Sequence, residues 1–306
     1  MVRYQIVHKT EYIYEEAASL CYNETRLLPR PVTGPQFQQT VQESYVSVQP
    51  IWDDSRERTD YFGNRVLYYT IRQPHASMTM TVTSQVEITP GQTYPVTALP
   101  ASPPWEETAT RLRTETGPEW MDARQFALAS PHAPILAEAA RFARASFPKG
   151  RSVLAGAADL MTRIYTDFDF KPGVTTISTP IDEVLRTRAG VCQDFAHLML
   201  GSLRALGLAA RYVSGYLETT PPPGQEKLQG SDASHAWCSL FVPGLGWVDL
   251  DPTNNILPHE QHIVLGWGRD YGDVTPLKGV FYGEGGHALR VSVDVISLEV
   301  RAEETA

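Results

Sequence analysis

Between Gly190 and Pro252 the hydrophobic period changes from helical to extended, and this constrains the fold more than any other feature of the chain. Phe195, Leu198, Met199, Ser202, Leu203 and Leu206 recur three and four residues apart, the stripe of an amphipathic helix. Gly190 opens that helix, and Gly207 stands where a left-handed cap would close it. Ala210-Arg-Tyr-Val-Ser-Gly-Tyr-Leu217 then reads as a strand. His235-Ala-Trp-Cys-Ser-Leu-Phe-Val242, a turn at Pro243-Gly-Leu-Gly246 and Trp247-Val-Asp-Leu-Asp251 read as an antiparallel hairpin. Between strand and hairpin, residues 219–231 carry Pro221-Pro-Pro-Gly224, cannot pair in a sheet and are expected to flank a cleft.

The remainder fits an α+β chain of two domains. Tyr4–His8, Glu43–Val48, Val66–Ile71 and Ser77–Thr83 are rich in Val, Tyr, Thr and Ile, with turn residues at Pro29-Arg-Pro31, Thr33-Gly-Pro35 and Phe62-Gly-Asn64 between them. Such spacing predicts an antiparallel β domain, sandwich or barrel-like, over residues 1–100. Prolines at 90, 95, 100, 103, 104 and 118 mark residues 90–120 as a linker. The second domain then covers 101–306, with its core at about 150–256. It begins with helices at Ile135–Phe147 and Val153–Tyr165 and ends with a strand at Ala288–Leu298. The length of 306 residues, about twice a typical domain, agrees with two units.

Charge narrows the partners. A net charge of −9 argues against nucleic acid or an anionic membrane, because such a surface repels both. The arginines at 26, 30, 56 and 58, and at 111, 113 and 124, are interleaved with acids and read as a solvated mixed surface. Residues 1–9 lack the apolar segment of a secretory signal, and no uncharged apolar run reaches the length of a membrane helix, so a cytoplasmic address is expected. Cys21, Cys192 and Cys238 are too few and scattered for a disulfide framework or a C-x-x-C site.

The chemistry-bearing residues gather on the helix and the hairpin. Cys192 lies in the first helical turn, where unpaired N–H groups and the positive end of the macrodipole favour a thiolate. The alternative for a lone cysteine is an inert, buried one. His235 opens a strand directly after the proline-rich loop, so it can stand at the sheet's edge as a base, or serve as a structural histidine. Asp251 ends the next strand, where Pro252 holds it extended, and is our choice for the group that orients the imidazole. Register decides this choice. A hairpin loop of even length turns Asp251 away from His235, whereas an odd loop or a bulge brings it opposite Trp237, on the His235 face.

Other residues compete with these three. Asp249, two residues before Asp251 on the same face, is the alternative orienter. His197 is rotated about 140° from Cys192 around the helix and reads as a packing residue. Asp194 complements the helix N-terminus, next to Gln193, and Trp237 either walls the site or packs in the core. His259 and His262 stand three apart without an Asp, Cys or third His to complete a ligand set, so no metal is expected. Gly283-Glu-Gly-Gly286 lacks the context of a phosphate loop and reads as a turn.

Four ordered blocks carry a family likeness: Arg188-Ala-Gly-Val-Cys-Gln-Asp-Phe-Ala-His197, Ala210-Arg-Tyr-Val-Ser-Gly-Tyr216, His235-Ala-Trp237 and Gly246-Trp-Val-Asp-Leu-Asp-Pro-Thr253. The chain resembles bacterial transglutaminase-like proteins. Residues 1 to about 90 resemble the β-rich region that accompanies their core, and Gly268-Arg-Asp-Tyr-Gly-Asp-Val274 onward resembles their C-terminal segment. The resemblance implies a papain-like fold, a Cys-bearing helix packed on an antiparallel sheet that bears His and Asp. It also implies Cys192 as nucleophile, His235 as base and Asp251 as third member, in agreement with the reading from the residues. Gln193, Asp194 and Trp237 are the candidates for substrate binding or support. No cofactor is implied, and no acidic cluster suggests the calcium dependence of the animal enzymes.

Acyl transfer on an amide or peptide carbonyl through a thioester is the expected reaction, with hydrolysis of a peptide or protein substrate ahead of transamidation. A non-catalytic peptide-binding module on the same fold is the alternative from another class.

Overall fold

A computed structural model describes residues 1–92, 94–219 and 234–298; beyond Thr219, the loop expected to flank the cleft lies outside the described residues. The chain opens with β1 (Val2–Ala18), β2 (Leu20–Thr25), β3 (Val32–Thr33), β4 (Phe37–Gln49), β5 (Asp54–Thr59), β6 (Arg65–Ile71) and β7 (His75–Pro90). Then come α1 (Trp105–Thr114), α2 (Pro118–Arg124), α3 (Ala137–Arg144), α4 (Val153–Asp167), β8 (Asp169–Phe170), α5 (Ile181–Thr187) and β9 (Ala189–Gly190). The remaining elements are α6 (Cys192–Arg204), β10 (Ala210–Leu217), β11 (Ser234–Val242), β12 (Gly246–Leu250), β13 (His262–Gly268), β14 (Leu277–Tyr282) and β15 (His287–Ser297). This is the α+β architecture expected, with antiparallel sheets throughout apart from the short parallel β8–β9 ladder.

The four strands expected in the first ninety residues fall within β1, β4, β6 and β7; β6 is longer by one residue and the other three extend well beyond the expected spans. β1 buries Tyr4, Ile6, His8 and Thr10 in alternation, the period of a strand with one covered face. Residues 90–120 differ from a plain linker, because they hold α1 and the start of α2. Pro103 and Pro104 precede α1 and Pro118 is the first residue of α2, positions where a missing N–H costs no helical bond.

The C-terminal strands return to the beginning of the chain. β15 pairs with β1 (Ile6 opposite Val295) and β14 with β2 (Tyr22 opposite Val280). The resulting sheets run β15-β1-β7-β4-β3 and β14-β2-β6-β5. Residues 277–297 thus complete sheets begun by the first ninety and cover edges that would otherwise be open.

The central sheet, β12-β11-β10-β13, is covered on both faces. Cys238 and Leu240 of β11 belong to the core formed with α4 and α6, together with Leu198, Met199 and Leu203. Trp237, on the opposite face, belongs to the core of the N-terminal strands, with Tyr4, Ile6 and Val82. Two buried faces explain why this strand is apolar almost without alternation. Full burial of a side chain such as Leu240 contributes about 1.5–3 kcal/mol. α6 ends as the sequence requires: Gly207 has φ +78°, Leu208 N donates to Leu203 O at 3.1 Å and Gly207 N to Arg204 O at 2.9 Å, the paired bonds of a Schellman cap. Among the described residues no helix is long and apolar enough to cross a membrane.

Candidate active site

Cys192 is the first residue of α6, after an extended Val191. Valine offers no acceptor for the orphan amides of the first turn, and Asp194 closes the terminus from the other direction. Its Oδ2 accepts from Val191 N at 2.8 Å and from Thr175 Oγ1 at 2.7 Å. Burial raises the Asp194 pKa, and these two bonds oppose the rise. The approach needs Gly190, because a Cβ there would lie 2.8 Å from Asp194 Oδ2. Gln193 Nε2 reaches Ile177 O at 3.4 Å. Gln193 and Asp194 thus tie the segment before α5 to the helix end that carries Cys192, which is half-buried while Cys21 and Cys238 are buried.

His235 and Asp251 come from neighbouring strands. The β11–β12 pairing sets Cys238 opposite Leu250 and Val242 opposite Gly246, which leaves a three-residue loop at 243–245. Gly244 and Gly246 take φ +85° and +83°, values that a Cβ would strain. The ladder ends at Cys238 and Leu250, and the odd loop puts Asp251, the next residue, on the face of His235, while its backbone bridges to Ile256. His235 Nε2 lies 2.8 Å from Asp251 Oδ2, which leaves Nδ1 for the thiol of Cys192. Burial lowers the imidazole pKa, but hydrogen bonds and charge from Asp251 and Cys192 outweigh it and raise it to about 10. Burial works against the Asp251 carboxylate as well, yet bonds from His235 and His262 hold its pKa well below the usual range.

The Asp251 carboxylate accepts more donors than a triad requires. Oδ1 takes Thr253 N at 2.9 Å and Asn254 N at 3.3 Å, an Asx turn that wraps the chain around its own side chain. Oδ2 takes Asn254 Nδ2 at 2.7 Å and His262 Nε2 at 3.1 Å in addition to His235. His262 is fully buried, burial lowers its pKa, and its Nδ1 has no partner. A neutral ring that gives its one proton to Asp251 fits all three facts. Asn254 and His262 were not expected from sequence as parts of this site. The Asp-Pro-Thr-Asn run carries an Asx-turn signal for Asn254, whereas His262 joins only through the placement of β13 beside β10.

Gly215 explains how side chains two strands apart meet. It pairs with His235, and a Cβ there would lie 2.6 Å from the Trp237 ring and 2.1 Å from Ile263 O. Without one, the Trp237 indole crosses β10 and meets His262 edge-on, with centroids 5.2 Å apart. Trp237 is fully buried and donates Nε1–H to Asp249 Oδ2 at 3.0 Å. It therefore packs beneath the imidazole and does not wall a cleft. Asp249, the alternative orienter, is engaged by Trp237, and its backbone N and O are bonded to the Gln36 side chain at 2.6 and 3.0 Å.

His197 lies apart from these residues. It accepts from Tyr271 N at 3.2 Å, stacks on His132 at 5.4 Å, and burial lowers its pKa to about 3. His235, Asp251 and His262 each offer one atom within 4.8 Å of the others, a set that could hold a metal ion. His259 does not belong to that set. Both imidazoles of the set already share the Asp251 oxygen through N–H bonds, so an ion would have to displace those protons.

Two family descriptions match the chain: the bacterial transglutaminase-like N-terminal region over residues 4–87 and the transglutaminase-like superfamily core over residues 141–252. The chain belongs to the transglutaminase-like superfamily. An uncharacterized protein of Mycobacterium tuberculosis is 40% identical over 303 residues, covering 97% of this chain and 93% of its own. A protein-glutamine gamma-glutamyltransferase of Pseudomonas aeruginosa is 27% identical over 155 residues, which cover 50% of this chain and 23% of that protein. The transglutaminase-like fold also matches the crystal structure of a candidate cysteine protease from Cytophaga hutchinsonii, with TM-score 0.73 and 20% identity over 97% of this chain and 91% of that one.

Proposed function

We propose that the chain is a cysteine peptidase or amidase that hydrolyses an amide bond of a peptide or protein through a thioester on Cys192. The observation that carries this reading is the line from Asp251 Oδ2 to His235 Nε2 at 2.8 Å, with the other imidazole nitrogen left for the thiol. The raised proton affinity of His235 suits an imidazole that takes the proton of the nucleophile.

In the first half-reaction the Cys192 thiolate adds to the carbonyl carbon. The oxyanion that forms accepts the Cys192 amide, which the first turn of α6 does not use. Collapse breaks the C–N bond, the amine leaves with the Nδ1 proton of His235, and a thioester remains. Water then adds as His235 takes its proton, the C–S bond breaks, and the acid product departs. Asp251 holds the ring in place through both halves and stays ionised. Neither nucleic acid nor a membrane takes part, and a cytoplasmic address suits three cysteines that carry no disulfide.

Transamidation is the second reading, favoured by the glutamyltransferase among the relatives. It differs only in the last step, where an amine replaces water. A peptide and isopeptide library assayed with wild type and Cys192→Ala tests the first reading. Turnover by the wild type alone is expected, and equal turnover by both rejects the nucleophile. A glutamine peptide with a labelled amine separates hydrolysis from transfer by product mass.

A further inference from the structure

Away from Cys192, on the face of the central sheet that meets the N-terminal strands, lies a cavity of about 470 Å³, within the size range of small-molecule sites. Thr33, Gly34 and Asp122 stand exposed at its rim, and Phe37, Val213, Val264 and Arg211 are buried in its lining. Arg211 is 8% exposed. Its guanidinium is held between two indoles, 4.4 Å from the Trp247 ring centroid and 3.8 Å from that of Trp267. Arg30 stacks on Trp267 as well, at 3.4 Å.

The indoles satisfy the faces of the Arg211 guanidinium and leave its N–H edge. Among the described residues its Nε has no hydrogen-bond partner and the group forms no ion pair. Ser239, its direct neighbour across the β10–β11 ladder, is also buried with an unpartnered Oγ. Asp249, the next residue across, is committed to Trp237. Burial lowers the Arg211 pKa only to about 9, so the group stays charged at neutral pH. The groups acting on it are two carboxylates, Asp249 and Asp122, one further cation, Arg30, and the Cys238 thiol, which burial keeps neutral. With Arg211 itself the local sum is neutral, and an incoming anion does not enter a negative field.

We propose that this cavity binds a carboxylate carried on an apolar body, with the N–H edge of Arg211 as its receptor. A planar guanidinium locked between rings presents parallel donors that match two carboxylate oxygens. The lining from Val32, Phe37, Val213, Leu245 and Val264 suits a hydrocarbon or an apolar amino-acid side chain.

Isothermal titration of the whole chain with hexanoate, benzoate and Nα-acetyl-leucine, each beside its primary amide, tests the site. We expect at least one acid to bind at one per chain and its amide to bind at least about tenfold more weakly, since charged acceptors make the stronger bonds to guanidinium. Binding should weaken about tenfold in Arg211→Lys, which loses the fork, and persist in Cys192→Ala. Binding by none of the acids, equal binding of acid and amide, no change in a folded Arg211→Lys protein, or loss in Cys192→Ala would each overturn the proposal. The contrast of acid with amide needs only wild type and stands even where Arg211→Lys fails to fold.

Discussion

His262 donates its Nε2 proton to Asp251 Oδ2 at 3.1 Å, the oxygen on which His235 closes at 2.8 Å. Two imidazoles therefore compete for one carboxylate, and burial sets their roles apart. His235 gains proton affinity from Asp251 and Cys192, while His262, fully enclosed, loses it. The first can cycle a proton; the second acts as a fixed donor that keeps the carboxylate from turning.

Replacement His262→Phe keeps a planar ring against Trp237 and removes the donor. Stability should fall by about 1–3 kcal/mol, the cost of leaving a buried acceptor short of a bond. In the proposed reaction kcat should fall while KM holds. Urea unfolding and steady-state kinetics check this, and unchanged values of both stability and kcat would show that Asp251 does not depend on His262.

Trp237→Phe separates support from substrate contact. Loss of the Nε1 bond leaves the buried Asp249 carboxylate short of a donor, with an expected cost of about 1–3 kcal/mol. KM should be unaffected, because a fully buried indole touches no substrate. A KM rise without destabilisation would contradict this placement.

Asp194→Ala releases both Val191 N and Thr175 Oγ1. The first turn of α6 should loosen, with faster amide exchange at Val191, whose N–H Asp194 accepts, stability lower by about 1–3 kcal/mol and a lower kcat. Exchange that matches wild type would assign the helix terminus to other contacts.

Stability should depend on pH through His235 and Asp251 in opposite directions. The folded-state pKa of His235, about 10, lies above its ordinary value of 6.5, so its contribution is complete below about 6.5 and is lost as pH rises toward 10. Asp251 is depressed below its ordinary 3.8, so its contribution is complete above that value and is lost as pH falls below it. Urea midpoints measured across pH should decline on both sides. His235→Ala should flatten the alkaline decline, and an unchanged alkaline slope in that variant would contradict the assignment.

Much of this was legible in the residues. The stripe from Phe195 to Leu206 and the cap at Gly207 define α6, and the run from His235 to Val242 defines a strand because both of its faces are covered. The odd loop that Asp251 requires is present as residues 243–245. Less legible were features fixed by distant pairing. The return of β14 and β15 to the first sheets depends on edges that no local pattern reveals. α1 was hidden by prolines that read as a linker and in fact precede a helix. His262 reads as one of a His pair in sequence, and only the missing side chain at Gly215, two strands of register and the indole between them bring it to Asp251.

The most direct test of the Cys192–His235–Asp251 account is the rate at which an activated ester acylates Cys192 in wild type and in His235→Ala, with the modified residue located by peptide mass. General-base assistance is worth about 10²–10⁴ in rate, so wild type should form the thioester on Cys192 faster than the variant by a factor in that range. Equal rates in the two proteins, or acylation elsewhere than Cys192, would contradict it.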